Sequence, residues 1–132
     1  MTYTPLIKKL GLKPSSEILL LNQPGNYAQL IGMDLDELSL VSLSDSSLAD
    51  FIHFFTIEMA ELEVTFARLK RKLRKGGMLW VSWPKGSSKL PKDLNGNDVR
   101  RIGLEGGLVD VKVCAFDEDW SGIKFMYRKN DR

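Results

Sequence analysis

Apolar positions along this chain fall into two kinds of run: short unbroken blocks bounded by turn residues, and longer stretches where they return every third or fourth residue. Glu17-Ile18-Leu19-Leu20-Leu21 is a block of the first kind, set between Pro14 and the turn Asn22-Gln23-Pro24-Gly25-Asn26, and it predicts a short strand buried on both faces. Phe51 to Ile57, aromatic and β-branched, predicts another strand, and Met78 to Trp83, closed by Pro84, a further central one. Leu38 to Leu43 alternates apolar residues with serine, which predicts a weaker strand and leaves its direction open.

The second kind of run predicts helices. Met59, Leu62, Phe66, Leu69 and Leu73 share one helical face. Glu58, Glu61 and Glu63 stand at the start of this longest helix and Arg68, Lys70, Arg71, Lys72, Arg74 and Lys75 at its end, as the helix dipole favours, with Gly76-Gly77 as the expected stop. Shorter helices are expected at Leu6 to Leu10, entered through Thr4-Pro5 and packed on the sheet edge, at Tyr27 to Ile31 before Gly32, and around Asn97 to Glu105 before Gly106-Gly107. Val109, Val111, Val113 and Ala115 then alternate with polar neighbours, and after a turn at Asp117 to Gly122 the alternation resumes at Ile123, Phe125 and Tyr127, predicting an antiparallel hairpin near a sheet edge. Taken in order, these elements predict an α/β fold of three layers, Rossmann-like, with a mostly parallel sheet and a C-terminal antiparallel hairpin.

Composition narrows the function classes. The 132 residues suit one domain, 1–132, and nineteen basic against seventeen acidic residues leave a net charge of +2, too small to select nucleic acid or an acidic membrane by field alone. The opening residues carry no basic stretch followed by an apolar core, and no apolar run approaches a bilayer span, so a cytoplasmic protein without membrane attachment is expected. Cys114 is the only cysteine and His53 the only histidine, which leaves no plausible zinc set; no metal is expected.

From Ala49 onward the chain resembles the second half of class I methyltransferases, with Ala49-Asp50-Phe51-Ile52-His53-Phe54-Phe55 matching their fourth strand and Leu73-Arg74-Lys75-Gly76-Gly77-Met78-Leu79-Trp80-Val81-Ser82 the approach to their fifth. The whole chain also resembles a small bacterial family of unknown function, through Leu20-Leu21-Asn22-x-Pro24-x-x-Tyr27, Trp80-Val81-Ser82-Trp83-Pro84-Lys85 and Val109-Asp110-Val111-Lys112-Val113-Cys114-Ala115, and no activity comes with that likeness. The first resemblance implies S-adenosylmethionine as methyl donor, but the loop after the first strand keeps one glycine, Gly25, where such enzymes have a glycine-rich turn, and Pro24 removes an amide donor. Ser44 to Ala49 span about 20 Å at full extension, too little for the usual helix-strand-helix crossover, so the topology is an abbreviated methyltransferase-like one.

Ligands of open α/β sheets sit beyond the carboxyl ends of the strands. The loops expected to converge there place Asn22, Gln23, Gly25, Tyr27, Thr56, Trp83, Lys85, Ser87 and Ser88 around one crevice, enough to hold a polar ligand but not a recognised catalytic set. Lys85 is the residue expected to meet an anion, with Ser87 and Ser88 adding hydroxyl donors. His53, in mid-strand, reads as a hydrogen-bonded core histidine rather than a general base, Cys114 as packing, and Arg68 to Lys75 as a solvated helix end rather than a nucleic-acid surface. Trp120 lies in a turn and either lines the crevice or caps the core. The expectation is a module that binds an unknown small molecule or protein, with no cofactor and without the standard donor site. The alternative is a small-molecule methyltransferase that uses S-adenosylmethionine through an unusual loop.

Overall fold

The computed structural model describes residues 6–132, so Thr4-Pro5 at the start of the first helix lie outside it. In chain order the elements are α1 Leu6–Leu10, β1 Glu17–Leu21, α2 Tyr27–Ile31, β2 Ser39–Leu40, β3 Ala49–Phe55, α3 Met59–Lys72, β4 Leu73–Pro84, α4 Gly96–Glu105, β5 Leu108–Ala115 and β6 Trp120–Tyr127. The strands form one sheet in the order β2-β1-β3-β4-β6-β5. β1 is parallel to β2 and β3, and β3 to β4, while β6 runs antiparallel between β4 and β5. The sheet is therefore mostly parallel with an antiparallel C-terminal hairpin, and the direction left open at residues 38–43 is parallel.

The period-two pattern of β3 divides the core. Ile52 and Phe54 pack with Leu62, Phe66 and Leu69 of α3 and Val99 of α4, whereas Phe51 and Phe55 pack with Leu10 of α1 and Tyr27 and Ile31 of α2. Helices thus cover both faces, and no described helix is long and apolar enough to cross a membrane.

Several expectations need correction. α1 lies over a face of the sheet rather than at its edge: Leu10 is buried beside Trp80, whose indole Nε1 donates to the Leu10 carbonyl at 2.8 Å. β2 is only two residues long, because Asp45 draws the chain into a turn by accepting the backbone N–H groups of Ser42 and Ser47, both at 2.8 Å. α3 stops at Lys72, not at Gly76-Gly77; Leu73 is already extended and pairs with Ala49. Gly77 serves another purpose inside β4, where the register shifts: a Cβ there would lie 2.7 Å from the Asp50 carbonyl. β3 begins at Ala49 and ends at Phe55, two residues before the expected ends at 51 and 57. β6 starts at Trp120 rather than Ile123, since the Asp117 carboxylate accepts the N–H groups of Asp119 and Trp120 and tightens the turn. Between β2 and β3 there is neither helix nor strand, so the crossover is absent as expected.

Candidate functional site

Because β1, β3 and β4 are parallel, the loops that follow them leave from the same end of the sheet. Asn22 leaves β1 at φ 59, a left-handed conformation that asparagine tolerates better than most side chains. Its amide reaches across to β3 and α3, donating to the Phe55 carbonyl at 3.2 Å and to Glu61 Oε2 at 3.1 Å. Thr56, buried just beyond β3, donates its hydroxyl to Glu61 Oε1 at 2.7 Å. The Glu61 carboxylate is therefore clasped between the first and second loops. Trp120 meets the Phe55 ring edge-on at 5.1 Å, and Asn22, Thr56, Glu58, Glu61 and Trp120 line an open depression of about 310 Å³.

The start of α3 opens on this depression, and the chain's own carboxylates answer its dipole. Asp93 Oδ1 accepts the Met59 N–H at 2.6 Å, while Glu58 and Glu61 flank the first turn. Both amide protons of Asn22 are engaged and each Glu61 oxygen already accepts one bond. What remains toward solvent is mostly acceptor capacity beside an aromatic wall.

Asn22 and Thr56 are the expected crevice residues that the structure brings together; the others lie elsewhere. Tyr27 is core: it is 1% exposed, stacks with Phe116 at 5.4 Å and shares a hydrogen bond with His53 Nδ1 at 3.0 Å. Trp83 is buried on the opposite face, its indole beneath the first turn of α4, where a Cβ on Gly96 would come within 2.8 Å of the ring. Lys85, Ser87 and Ser88 belong to a loop that turns toward the β5–β6 connection: the Lys85 N–H donates to the Asp119 carbonyl at 2.7 Å and the Ser88 hydroxyl to Asp119 Oδ1 at 2.9 Å. An acidic side chain thus stands where an anion was expected. Gln23 is half-buried, and Gly25 lines a separate depression with Gln29, Asp34 and Glu37.

Glu61 is the site residue that sequence reasoning missed. As one of three glutamates at a helix start it read as a dipole partner, and the signal that singles it out is Thr56 five positions earlier, at the end of a buried strand.

His53 is fully buried between Tyr27 and Ser82, with Nε2 at 2.8 Å from the Ser82 hydroxyl and its ring stacked on Phe55 at 4.2 Å. Burial pushes its imidazole down to about 3, so it is neutral, and burial pushes the Tyr27 phenol above its ordinary range. In the neutral ring one nitrogen donates and the other accepts, which satisfies the line Tyr27–His53–Ser82 internally. This is a core histidine, with no exposure to solvent. Cys114 packs at the edge of the same core. Among the described residues no group of three or more His, Cys, Asp or Glu side chains is placed to hold a metal ion.

The basic run at the end of α3 is largely tied into the fold. Lys70 donates to the Gly106 carbonyl at 2.7 Å, Lys72 pairs with Asp45 at 3.0 Å, Arg74 with Glu17 at 3.1 Å and Asp50 at 3.2 Å, and Lys75 lies over the Tyr127 ring at 4.3 Å. The Ser42 N–H, with Lys72 second, holds the Asp45 carboxyl down to about 2.

No family model and no curated protein matches the chain. Solved structures do. A SAM-dependent methyltransferase from Aquifex aeolicus superposes with a TM-score of 0.66 at 15% identity, over 93% of this chain and 88% of that one. Magnesium protoporphyrin IX methyltransferase from Synechocystis, solved with bound SAH, gives 0.61 at 7% identity over 92% and 78%, and the glycopeptide N-methyltransferase MtfA gives 0.62 at 9% over 92% and 88%. At these identities the likeness establishes the fold: this chain has the architecture of class I SAM-dependent methyltransferases.

Proposed function

We propose that this chain is a ligand-binding module built on the methyltransferase fold, one that does without the standard S-adenosylmethionine site. The observation that carries this reading is the clasp of Asn22 and Thr56 on Glu61. Where the fold's enzymes use a glycine-rich turn to bring backbone close to the donor, the residue leaving β1 here spends both amide protons on β3 and α3. Pro24 offers no N–H, and the side of the sheet that usually holds adenosine is abbreviated, its outer strand β2 being two residues long with no helix or strand between it and β3. With acceptors in excess and Trp120 as a wall, the depression suits a small donor-rich or cationic group rather than an anion. Nucleic acid is disfavoured in this reading because most of the basic run at the end of α3 is engaged.

A small-molecule methyltransferase working through the 22–27 loop is the second reading. The same acidic, aromatic-walled depression would receive the positively charged sulfonium end of the donor. Isothermal calorimetry with S-adenosylmethionine and with its demethylated product separates the two. The binding-module reading expects no micromolar affinity for either, whereas micromolar binding that is lost in Asn22→Ala overturns it in favour of the enzyme.

A further inference from the structure

Lys112 and Lys124 stand directly opposite each other in the β5–β6 ladder. Residues so placed carry their Cβ atoms about 5 Å apart on one face, an arrangement in which like charges destabilise the pair. Lys124 is also the partner of Trp80 across β4, so Trp80, Lys124 and Lys112 form a row on the face covered by α1. Lys112 is fixed there: its ammonium donates to the Lys9 carbonyl at 3.0 Å. Lys124 is half-buried beside it and, among the described residues, makes no ion pair or side-chain hydrogen bond. Burial, and then the charge of Lys112, push its pKa down.

Among the described residues no carboxylate forms an ion pair with either lysine. Asp110, the acidic residue of β5, bonds Arg100 of α4 at 3.0 Å on the other face, and residues 1–5 contain no acidic side chain. A further positive group stands along the same side of β6: the Arg132 guanidinium lies 3.9 Å from the sulfur of Met126, two residues from Lys124. A cross-strand pair of ammonium groups, one of them partly desolvated, is a costly arrangement without a counter-charge.

We propose that this face carries an anion site in which Lys112 and Lys124 hold the phosphoryl group of a small phosphorylated compound. A dianionic phosphoryl group cancels the repulsion within the pair and gives the Lys124 ammonium acceptors that none of the described residues supplies, whereas a single carboxylate neutralises only one of the two charges. The site is separate from the strand-end depression, which lies four residues along β6 at Trp120, and it does not depend on the function proposed for that depression.

Inorganic phosphate and glycerol 3-phosphate, titrated separately at matched ionic strength with chloride as reference, test the site by amide chemical shifts and thermal unfolding. Both are expected to move the Lys112 and Lys124 resonances and, at ten times the dissociation constant, to raise the unfolding midpoint by about 5 °C. A stronger response to glycerol 3-phosphate identifies a phosphomonoester as the ligand, and an equal response identifies phosphate itself; either supports the site. Lys112→Gln and Lys124→Gln are expected to abolish the response, with Lys124→Gln at least as stable as the parent in chloride, while Lys13→Gln keeps it. A response no larger than that to chloride, one that survives in both Gln variants, or duplex DNA binding where neither phosphate probe binds, overturns the proposal.

Discussion

His53 shows how a single buried side chain writes itself into the stability of the fold. Its imidazole stays neutral in the folded chain down to about 3, against an ordinary value of 6.5 once the chain unfolds. Between these limits the unfolded state binds the extra proton, so this contribution is whole above pH 6.5 and is lost as the pH falls through the window, at up to about 1.4 kcal/mol per pH unit. Urea unfolding between pH 7 and pH 5, above the range where ordinary carboxylates titrate, is expected to show that slope and His53→Gln to remove most of it. An equal slope in both proteins would mean that other groups carry the pH dependence. The buried role of His53 was legible from its place in mid-strand, while that of Tyr27 was not: as the first residue of α2 it pointed equally well to the loop or to the sheet, and the bond to His53 decides for the sheet.

Among the elements, α4 has the best-defined beginning. The Asn95 side chain accepts the Asp98 N–H at 3.0 Å while the Asp98 carboxylate accepts the Asn95 N–H at 3.1 Å, a reciprocal cap that satisfies two otherwise orphaned donors. Asn95→Ala is expected to cost about 1 kcal/mol in chemical denaturation with an unchanged denaturant slope, and Asn97→Ala, one residue inside the helix start, far less. A loss below the error of the measurement for Asn95→Ala would show that the cap is not holding the helix.

The existence and type of every strand and of these helices were legible because their apolar spacing was regular, as in Met59, Leu62, Phe66 and Leu69. Their ends were less so, because local side-chain bonds set them. Asp45 cuts β2 short and Asp117 tightens the hairpin, and neither acts through hydrophobic periodicity. Gly76-Gly77 misled for a related reason, since a pair of glycines marks a helix stop and a close strand approach equally well.

At the level of the whole molecule, the parallel order of β1, β3 and β4 was legible, and with it the end of the sheet where a site would lie. That the first two loops meet there was legible as well, as Asn22 and Thr56 show; that the third turns away, and that Glu61 joins the other two, was not. The third loop depends on Asp119, thirty-four residues beyond Lys85 in the chain, and the clasp joins Asn22 to Glu61 across two elements. Pairings over such separations leave no periodic trace.

The two flanks of the sheet differ in how they are held, and this sets the order in which the molecule opens. β3, β4, β6 and β5 come from one continuous stretch, 49–127, with β4 and β6 paired from Leu79↔Phe125 to Pro84↔Trp120. β1 is held by β3 from one side and, on the other, by a β2 that meets it only at Glu17↔Ser39 and Ile18↔Leu40. Native-state hydrogen exchange is therefore expected to rank the amides of residues 39–41 fastest, those of 19–21 next, and those of 52–54 and 80–82 slowest, near the rate of global unfolding. Equal protection across the sheet would mean that the flanks open together. With the expected ranking, the clasp at Asn22 is a seam between a labile flank and a persistent one, so a molecule bound over it slows exchange in β1 well before it changes anything in β4.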